Sequence, residues 1–219
     1  MKYTTIVFDC DGTLLNTASD LANAVNHVLR THNFPEKSLV EVKAALGNAV
    51  TYLMRQCLPS TIADHELEPY IEEFKAYYGK HLKDTTAPYP GILDMLDVLR
   101  EQGYKLAIVS NKIQEGVIPL NKEYFGDRLP VAIGERPGLQ RKPAPDMVLQ
   151  ALKELGSRPE ESIYVGDSEV DVATAKNSGL LCIGVTWGFR EESLHQELGV
   201  THIARKADDI LSIIETLNK

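Results

Sequence analysis

Acidic side chains follow two of the apolar segments that the sequence marks as strands. Asp9 and Asp11 come directly after segment 6–8, and they point to the same side because strand side chains alternate. Asp167 follows a later apolar segment in the same way, with Asp171 four residues further on. Like charges held close together are unfavourable unless a cation or a shared proton relieves them. Carboxylate oxygens are ligands that Mg²⁺ prefers, so a magnesium site is expected where these acids meet.

Two further positions could bind an anion. Ser110 and Asn111 follow apolar segment 106–109, where a hydroxyl and backbone N–H groups can hold phosphoryl oxygens. Lys142 precedes Pro143; the proline restricts the backbone, and the lysine is a point cation suited to a phosphoryl group. Taken singly, Ser110 and Asn111 also fit an ordinary turn at the end of a strand, and Lys142 also fits a solvated lysine in a polar loop.

The segments that carry these groups alternate with helical patterns. Continuous apolar runs of this length suit strands buried on both faces of a parallel sheet. The runs are 6–8, 106–109, 131–133, 163–165, 181–185 and a weaker one at 201–203. The pattern predicts an α/β fold with an open, doubly wound, Rossmann-like parallel sheet, which binds ligands at the carboxyl ends of its strands.

One long interval, 16–84, interrupts this alternation with four amphipathic helical patterns. Capping boxes are predicted at 17–20 and 38–41, each before an apolar helical repeat. Four such helices can bury their apolar stripes together as a small bundle. We therefore expect a helical domain at 16–84 inserted into an α/β core domain formed by 1–15 and 85–219.

The composition excludes several classes of function. The chain has 219 residues, with 43% hydrophobic and 25% charged, as in an ordinary folded protein. Its formal net charge of −8 disfavours nucleic acid or a membrane surface as a partner. Three widely spaced cysteines form neither a disulfide framework nor a zinc pattern. With a strand-like start and no signal peptide expected, the predicted compartment is the cytoplasm.

The motifs occur in a recognisable order, each at a strand end or in the following loop. Asp-x-Asp-Gly-Thr at 9–13 comes first, then Ser110, then Lys142 before its proline, and then Gly-Asp-x-x-x-Asp at 166–171. This arrangement resembles the haloacid dehalogenase superfamily of phosphohydrolases, and the helical insert resembles its cap domain. Shorter segments resemble the phosphoglycolate phosphatase group within it. They are 46–48, 109–112 and 184–190.

The resemblance implies a Mg²⁺-dependent phosphatase of small phosphorylated metabolites that forms an aspartyl-phosphate. Asp9 resembles the nucleophile, and Asp11 resembles the general acid and base. Mg²⁺ would be held by the side chains of Asp9 and Asp167 and by Asp11 through its backbone carbonyl. Asp171 would support these ligands without binding the metal directly.

The same resemblance implies a substrate site. Ser110, Asn111 and Lys142 would bind the substrate's phosphoryl group, while Gly47 and Asn48 in the insert are candidate backbone donors. Basic residues of the insert could pair with a substrate carboxylate, and the sequence does not select among them. They are Lys43, Arg55 and Lys75.

Other functions stay open at this point. A phosphosugar mutase of the β-phosphoglucomutase kind is disfavoured by Thr13, where those relatives usually have valine. A dehalogenase would lack the second acid, Asp11, and a silent binding module would not need the full set of motifs. A pyrophosphatase of the same superfamily remains an alternative, as do both a monomer and a homodimer.

Overall fold

The computed structural model describes residues 2–219, and its main feature is a six-stranded parallel sheet ordered β5-β4-β1-β6-β7-β8. The strands are β1 (Thr5–Phe8), β2 (Leu15–Asn16), β3 (Ala87–Pro88), β4 (Lys105–Ile113), β5 (Val131–Glu135), β6 (Ser162–Gly166), β7 (Leu181–Val185) and β8 (His202–Ala204). Strands β2 and β3 form a separate antiparallel pair. The predicted α/β fold with a parallel sheet is confirmed.

Helices connect the strands and cover the sheet. They are α1 (Ala18–Thr31), α2 (Leu39–Ala45), α3 (Val50–Cys57), α4 (Glu68–His81), α5 (Ile92–Glu101), α6 (Gln114–Tyr124), α7 (Asp146–Leu155), α8 (Glu169–Ser178), α9 (Glu192–Glu197) and α10 (Ala207–Leu217). None of the described helices combines the length and the apolar character needed to cross a membrane. The sequence patterns predicted no helix in the regions of α6, α9 and α10.

The central strand β1 is buried on both faces, as its continuous apolar run predicts. Ile6 and Phe8 belong to a core cluster that includes apolar side chains of α5 and α10. Val7 belongs to a second cluster, with side chains of α7 such as Met147 and Val148. Because strand side chains alternate, one strand contributes to a core layer on each face of the sheet.

Helices α1 to α4 pack mainly against one another. Their apolar side chains form a cluster of their own, with Val25, Met54 and Phe74 among its buried members. Phe189, from the segment after β7, joins this cluster and so connects the helices to the core. The division into two domains at 16 and 84 stays a prediction.

Asp20 joins the start of α1 to the segment that follows α4. The predicted capping box at 17–20 is wrong. Thr17 precedes α1, but its side chain makes no capping hydrogen bond. Asp20 instead accepts hydrogen bonds from the backbone and hydroxyl groups of both Thr85 and Thr86. Burial opposes ionisation, but these hydrogen bonds hold the pKa of Asp20 below its ordinary value. The capping box from Ser38 to Glu41 is present.

We expect Asp20→Ala to lower the free energy of unfolding by about 3 kcal/mol, because it leaves the buried donors of Thr86 and the partly buried donors of Thr85 without this acceptor. Urea denaturation measures the change. Asp127→Ala is the matched control, since Asp127 is exposed and its loss should cost at most about 0.5 kcal/mol. Equal effects of the two substitutions would contradict a fastening role for Asp20.

Candidate active site

The carboxyl ends of β4, β1 and β6 bring the predicted acidic and polar residues together. Asp9 continues β1, and its backbone N–H donates to the Val165 carbonyl at the end of β6 at 2.9 Å. On the other side, β1 pairs with β4 through Phe8 and Ile108, two residues before Ser110. Asp9 and Ser110 are both buried. This is the edge of an open α/β sheet at which ligands bind.

Lys142 is the cation at the centre of this site. Its Nζ donates to Asp9 Oδ1 at 2.6 Å, to Asp171 Oδ1 at 2.7 Å and to the Tyr164 hydroxyl at 3.0 Å. Asn111 Nδ2 donates to the Lys142 carbonyl at 3.1 Å and so holds its backbone. Burial by itself lowers the pKa of the Lys142 ammonium, but Asp171 and Asp9 raise it well above its ordinary value. The lysine therefore stays charged.

Asp9, Asp167 and Asp171 each place a carboxylate oxygen within 4.8 Å of the others, and this cluster could hold a metal ion. Burial raises the pKa of Asp9 well above its ordinary value, against the opposing effect of Lys142. Burial also opposes ionisation of Asp171, but Lys142 and Ser168 hold its pKa below the ordinary value. Asp171 accepts hydrogen bonds from Lys142 and Tyr164 on Oδ1 and from Ser168 and the Asp167 N–H on Oδ2. Asp9 and Asp167 accept fewer and are therefore better placed to bind a cation.

Backbone atoms pack closely around the Asp167 carboxylate and fix its orientation. Its Oδ2 accepts a hydrogen bond from the Phe189 N–H at 2.6 Å, and the Thr13 hydroxyl donates to Oδ1 at 3.3 Å. A Cβ atom at Gly12 or Gly188 would lie 2.5 Å or 2.3 Å from Oδ2. These two positions therefore accept only glycine without a shift of the site.

Asp11, the predicted general acid and base, pairs with a residue to which the sequence analysis gave no role. Lys112 Nζ lies 3.2 Å from Asp11 Oδ1 and donates to the Tyr78 hydroxyl of α4 at 2.7 Å. Burial by itself lowers the pKa of the Lys112 ammonium, but Asp11 and Tyr78 raise it above its ordinary value. The available signal was a lysine directly after Ser110 and Asn111.

A cavity of about 470 Å³ lies between helices α1 to α4 and the carboxyl ends of the strands. Much of the cavity wall is apolar and includes the side chains of Leu53 and Phe74. Among the basic residues proposed for a substrate carboxylate, Lys75 borders the cavity and donates to Glu72 Oε1 at 2.7 Å. Arg55 is not among the lining residues and donates to the Pro59 carbonyl at 2.8 Å. Six of the predicted site residues line the cavity. They are Asp9, Asp11, Gly47, Asn48, Ser110 and Asn111.

Arg190 connects the helical insert to the segment that contains Asp167. Its guanidinium donates to both carboxylate oxygens of Glu169, at 2.8 and 2.9 Å. It also donates to the carbonyls of Lys43 and Leu46 at the end of α2, at 3.0 and 2.9 Å. The chain from Asp167 to Glu169 and the loop that leads to Gly47 and Asn48 are thereby fixed against one another.

The fold and the site define a hydrolase of one large family. The model of the haloacid dehalogenase-like hydrolases matches residues 6–185, which include Asp9, Lys142 and Asp167. The chain therefore belongs to the haloacid dehalogenase-like hydrolase family, and the predicted resemblance is confirmed.

Its relatives agree with the narrower resemblance. Phosphoglycolate phosphatase of Pseudomonas putida is 34% identical over 191 residues, covering 84% of this chain and 70% of the relative. The enzyme of the same name from Aquifex aeolicus is 32% identical, covering 84% of this chain and 85% of the relative. The crystal structure of a candidate phosphoglycolate phosphatase from Lactobacillus delbrueckii matches with a TM-score of 0.91 and 35% identity, covering 96% of this chain and 97% of that one. The chain is thus a phosphatase-like hydrolase, similar to phosphoglycolate phosphatases.

The buried acids predict how the stability of the metal-free protein depends on pH. Burial, and then the nearby Asp171 carboxylate, raise the pKa of Asp167 from 3.8 to about 7. Between these values the folded state binds more protons than the unfolded state, so the free energy of unfolding falls as the pH rises through this window.

Asp167→Asn removes this titration. We expect a smaller loss of unfolding free energy between about pH 4 and about pH 7 than in the unaltered protein, measured by urea denaturation with EDTA present. Some dependence should persist, because burial also raises the pKa of Asp9. Asp127→Asn, on the exposed surface, is the control. An unchanged pH dependence in Asp167→Asn would show that this carboxyl does not titrate as described.

Proposed function

We propose that the chain is a Mg²⁺-dependent phosphatase of small phosphate monoesters that forms an aspartyl-phosphate on Asp9. The main support is the placement of one buried carboxylate, Asp9, that borders the cavity and contacts a buried ammonium, Lys142, at 2.6 Å. Asp11 borders the same cavity two residues further along the chain. A nucleophile and an acid thus border the space in which a phosphoryl group would bind, and a buried cation contacts the nucleophile. We propose that the enzyme acts on a metabolite in the cytoplasm.

The residues present fit a magnesium ion. Asp9 and Asp167 offer hard carboxylate oxygens, and Lys142 is the cation that faces the buried acids Asp9 and Asp171. One lysine does not balance three buried carboxylates, so a divalent cation would relieve their repulsion. Asp9, Asp167 and the backbone carbonyl of Asp11 would hold the ion. When bound, Mg²⁺ supplies positive charge that stabilises the developing negative charge on the phosphoryl oxygens.

In the first half of the reaction, an Asp9 carboxylate oxygen forms a bond to phosphorus. Lys142 holds Oδ1, so Oδ2 is the oxygen proposed to attack. The bond from phosphorus to the leaving oxygen breaks, and Asp11 donates a proton to that oxygen. Ser110 and the backbone near Asn111 bind the phosphoryl oxygens at the end of β4.

In the second half, the aspartyl-phosphate on Asp9 is hydrolysed. Asp11, now a carboxylate, accepts a proton from a water molecule, and the water oxygen bonds to phosphorus. The bond between Asp9 and phosphorus breaks, which releases inorganic phosphate and restores the Asp9 carboxylate. One acid therefore serves both steps, first as proton donor and then as proton acceptor.

Phosphoglycolate is the substrate that we propose to test first, because the relatives described above carry that name. Lys75 of α4 borders the cavity and is the insert cation that we propose for the substrate carboxylate. Gly47 and Asn48 also line the cavity and would contribute backbone donors.

Asp9→Asn should abolish turnover, because an amide of the same shape is a poor nucleophile and a poor metal ligand. We expect kcat to fall by more than about 10³-fold, as measured by phosphate release from phosphoglycolate with Mg²⁺. Asp94→Asn, at an exposed acid, is the matched control and should retain activity. Near-normal turnover in Asp9→Asn would exclude the covalent mechanism.

Asp11→Asn should distinguish substrates by their leaving groups. For an alkyl ester such as phosphoglycolate, loss of the proton donor should lower kcat/KM by about 10²- to 10⁴-fold. This ratio reports formation of the aspartyl-phosphate and not its hydrolysis, which both esters share. The loss should be smaller for p-nitrophenyl phosphate, because p-nitrophenolate leaves without a proton. Equal losses for both esters, compared in the same buffer, would contradict the acid role of Asp11.

A further inference from the structure

Lys112 is a buried cation that lies between the core and the helical insert. Its side chain is 5% exposed, and its ammonium lies 3.2 Å from Asp11 Oδ1. The same ammonium donates a hydrogen bond of 2.7 Å to the Tyr78 hydroxyl and lies 4.5 Å from the centre of the Tyr78 ring. One partner, Asp11, therefore lies two residues after Asp9, and the other, Tyr78, belongs to α4 of the insert.

The position of the Lys112 side chain is restricted along its whole length. A Cβ atom at Gly116 would lie 3.1 Å from both Cγ and Cδ of Lys112, so α6 packs directly on its stem. The backbone N–H of Lys112 donates to Ser110 Oγ at 3.1 Å. A charged group this deeply buried needs paired partners, and Asp11 and Tyr78 provide them.

Asp11 depends on this lysine for its surroundings. Its Oδ1 is buried and accepts no hydrogen bond from the described residues, and Lys112 is the cation with which it forms an ion pair. Tyr78 is itself buried, stacked on Phe74 with ring centres 5.6 Å apart. The Tyr78 hydroxyl is therefore fixed by the apolar packing of the insert, and it fixes the Lys112 ammonium in turn.

We propose that Lys112 is a positioning residue that orients the Asp11 carboxyl toward the leaving oxygen, and that Tyr78 makes this orientation depend on the packed insert. The proposal rests on the proposed function, because it needs Asp11 as the proton donor. A substrate would then meet a correctly oriented acid only when α4 lies against the core. Lys112 acts through Asp11 and forms no bond to the reacting atoms.

Two substitutions test this proposal. Tyr78→Phe removes the hydroxyl and keeps the ring, and Lys112→Met keeps the length of the side chain and removes its charge. Tyr77→Phe is the matched control, since Tyr77 is the neighbouring residue of α4 and packs between His27 and His81 instead. Steady-state kcat and KM are measured with Mg²⁺ for phosphoglycolate and for p-nitrophenyl phosphate, and thermal unfolding identifies variants that do not fold.

Loss of positioning should appear in kcat/KM for the ester that needs protonation, because this ratio reports formation of the aspartyl-phosphate and not its shared hydrolysis. We expect Lys112→Met to lower kcat/KM for phosphoglycolate by about 30-fold, and Tyr78→Phe by about 5-fold, each a fraction of the effect of losing the acid itself. The kcat/KM of p-nitrophenyl phosphate should change by less than about 3-fold. In an Asp11→Asn background, neither substitution should add a selective loss, because the residues act as one unit.

Three results would overturn the proposal. Equal losses of kcat/KM for both esters would show a general structural effect. A loss for phosphoglycolate that is absent for ethyl phosphate, an alkyl ester without a carboxylate, would show that Lys112 binds the substrate carboxylate. An additional selective loss in the Asp11→Asn background would show that Lys112 acts independently of Asp11.

The proposal and the proposed function fail in different ways. If the unaltered enzyme hydrolysed neither ester with Mg²⁺, the proposed function would fail and the role of Lys112 with it. If the unaltered enzyme were active and Asp9→Asn inactive, the leaving-group comparison would test Lys112 alone. Should Lys112→Met not fold, Tyr78→Phe decides the outcome, because it preserves the ring and removes a single oxygen.

Discussion

The burial of three carboxylates at one sheet edge determines much of the surrounding structure. Asp9, Asp167 and Asp171 lie close together in a region from which water is largely excluded, where like charges repel strongly and desolvation penalises ionisation. Lys142 relieves part of this cost by bonding to Asp9 and Asp171. Asp167 instead accepts hydrogen bonds from a backbone amide and a hydroxyl. The remaining imbalance is the physical reason to expect a cation at this position.

This constraint explains why the sheet order matters. Asp9 can lie beside both Ser110 and Asp167 because β1 is central, with β4 on one side and β6 on the other. Lys142 reaches Asp9 from the segment between β5 and α7. Parallel pairing places all three strand ends at the same edge, where their polar residues meet. The close approach of Gly12 and Gly188 to Asp167 follows from the same crowding, because a side chain at either position would occupy the space of the carboxylate.

Sequence reasoning succeeded where the information is local. The alternation of side chains in a strand places Asp9 and Asp11 together, and an apolar run followed by an acid identified Asp167. It failed where a side chain can bond either to residues nearby in sequence or to residues far away in sequence. Asp20 has the position of a capping residue, but two threonines 65 and 66 residues away offer it backbone and hydroxyl donors. A short local pattern gives no information about such distant hydrogen-bond donors.

Lys112 and Tyr164 were missed for a related reason. A lysine after a strand and a tyrosine within one are ordinary surface and core residues until their partners are known. Tyr164 is a buried side chain of β6 whose hydroxyl meets Lys142 only because β6 lies beside β1. Lys112 is separated from Tyr78 by 34 residues, and their contact exists only when the insert packs on the core.

The contacts between insert and core are more polar than the wall of the cavity that they surround. The cavity wall contributed by the insert is largely apolar, whereas the contacts around it involve charged groups, namely Asp20, Lys112 and Arg190. A buried charge that loses its partner is strongly penalised. Any movement that separated insert and core would have to break such contacts at several points together. The three contacts therefore stabilise the packed arrangement jointly, since the loss of one alone would leave a charged group without its partner.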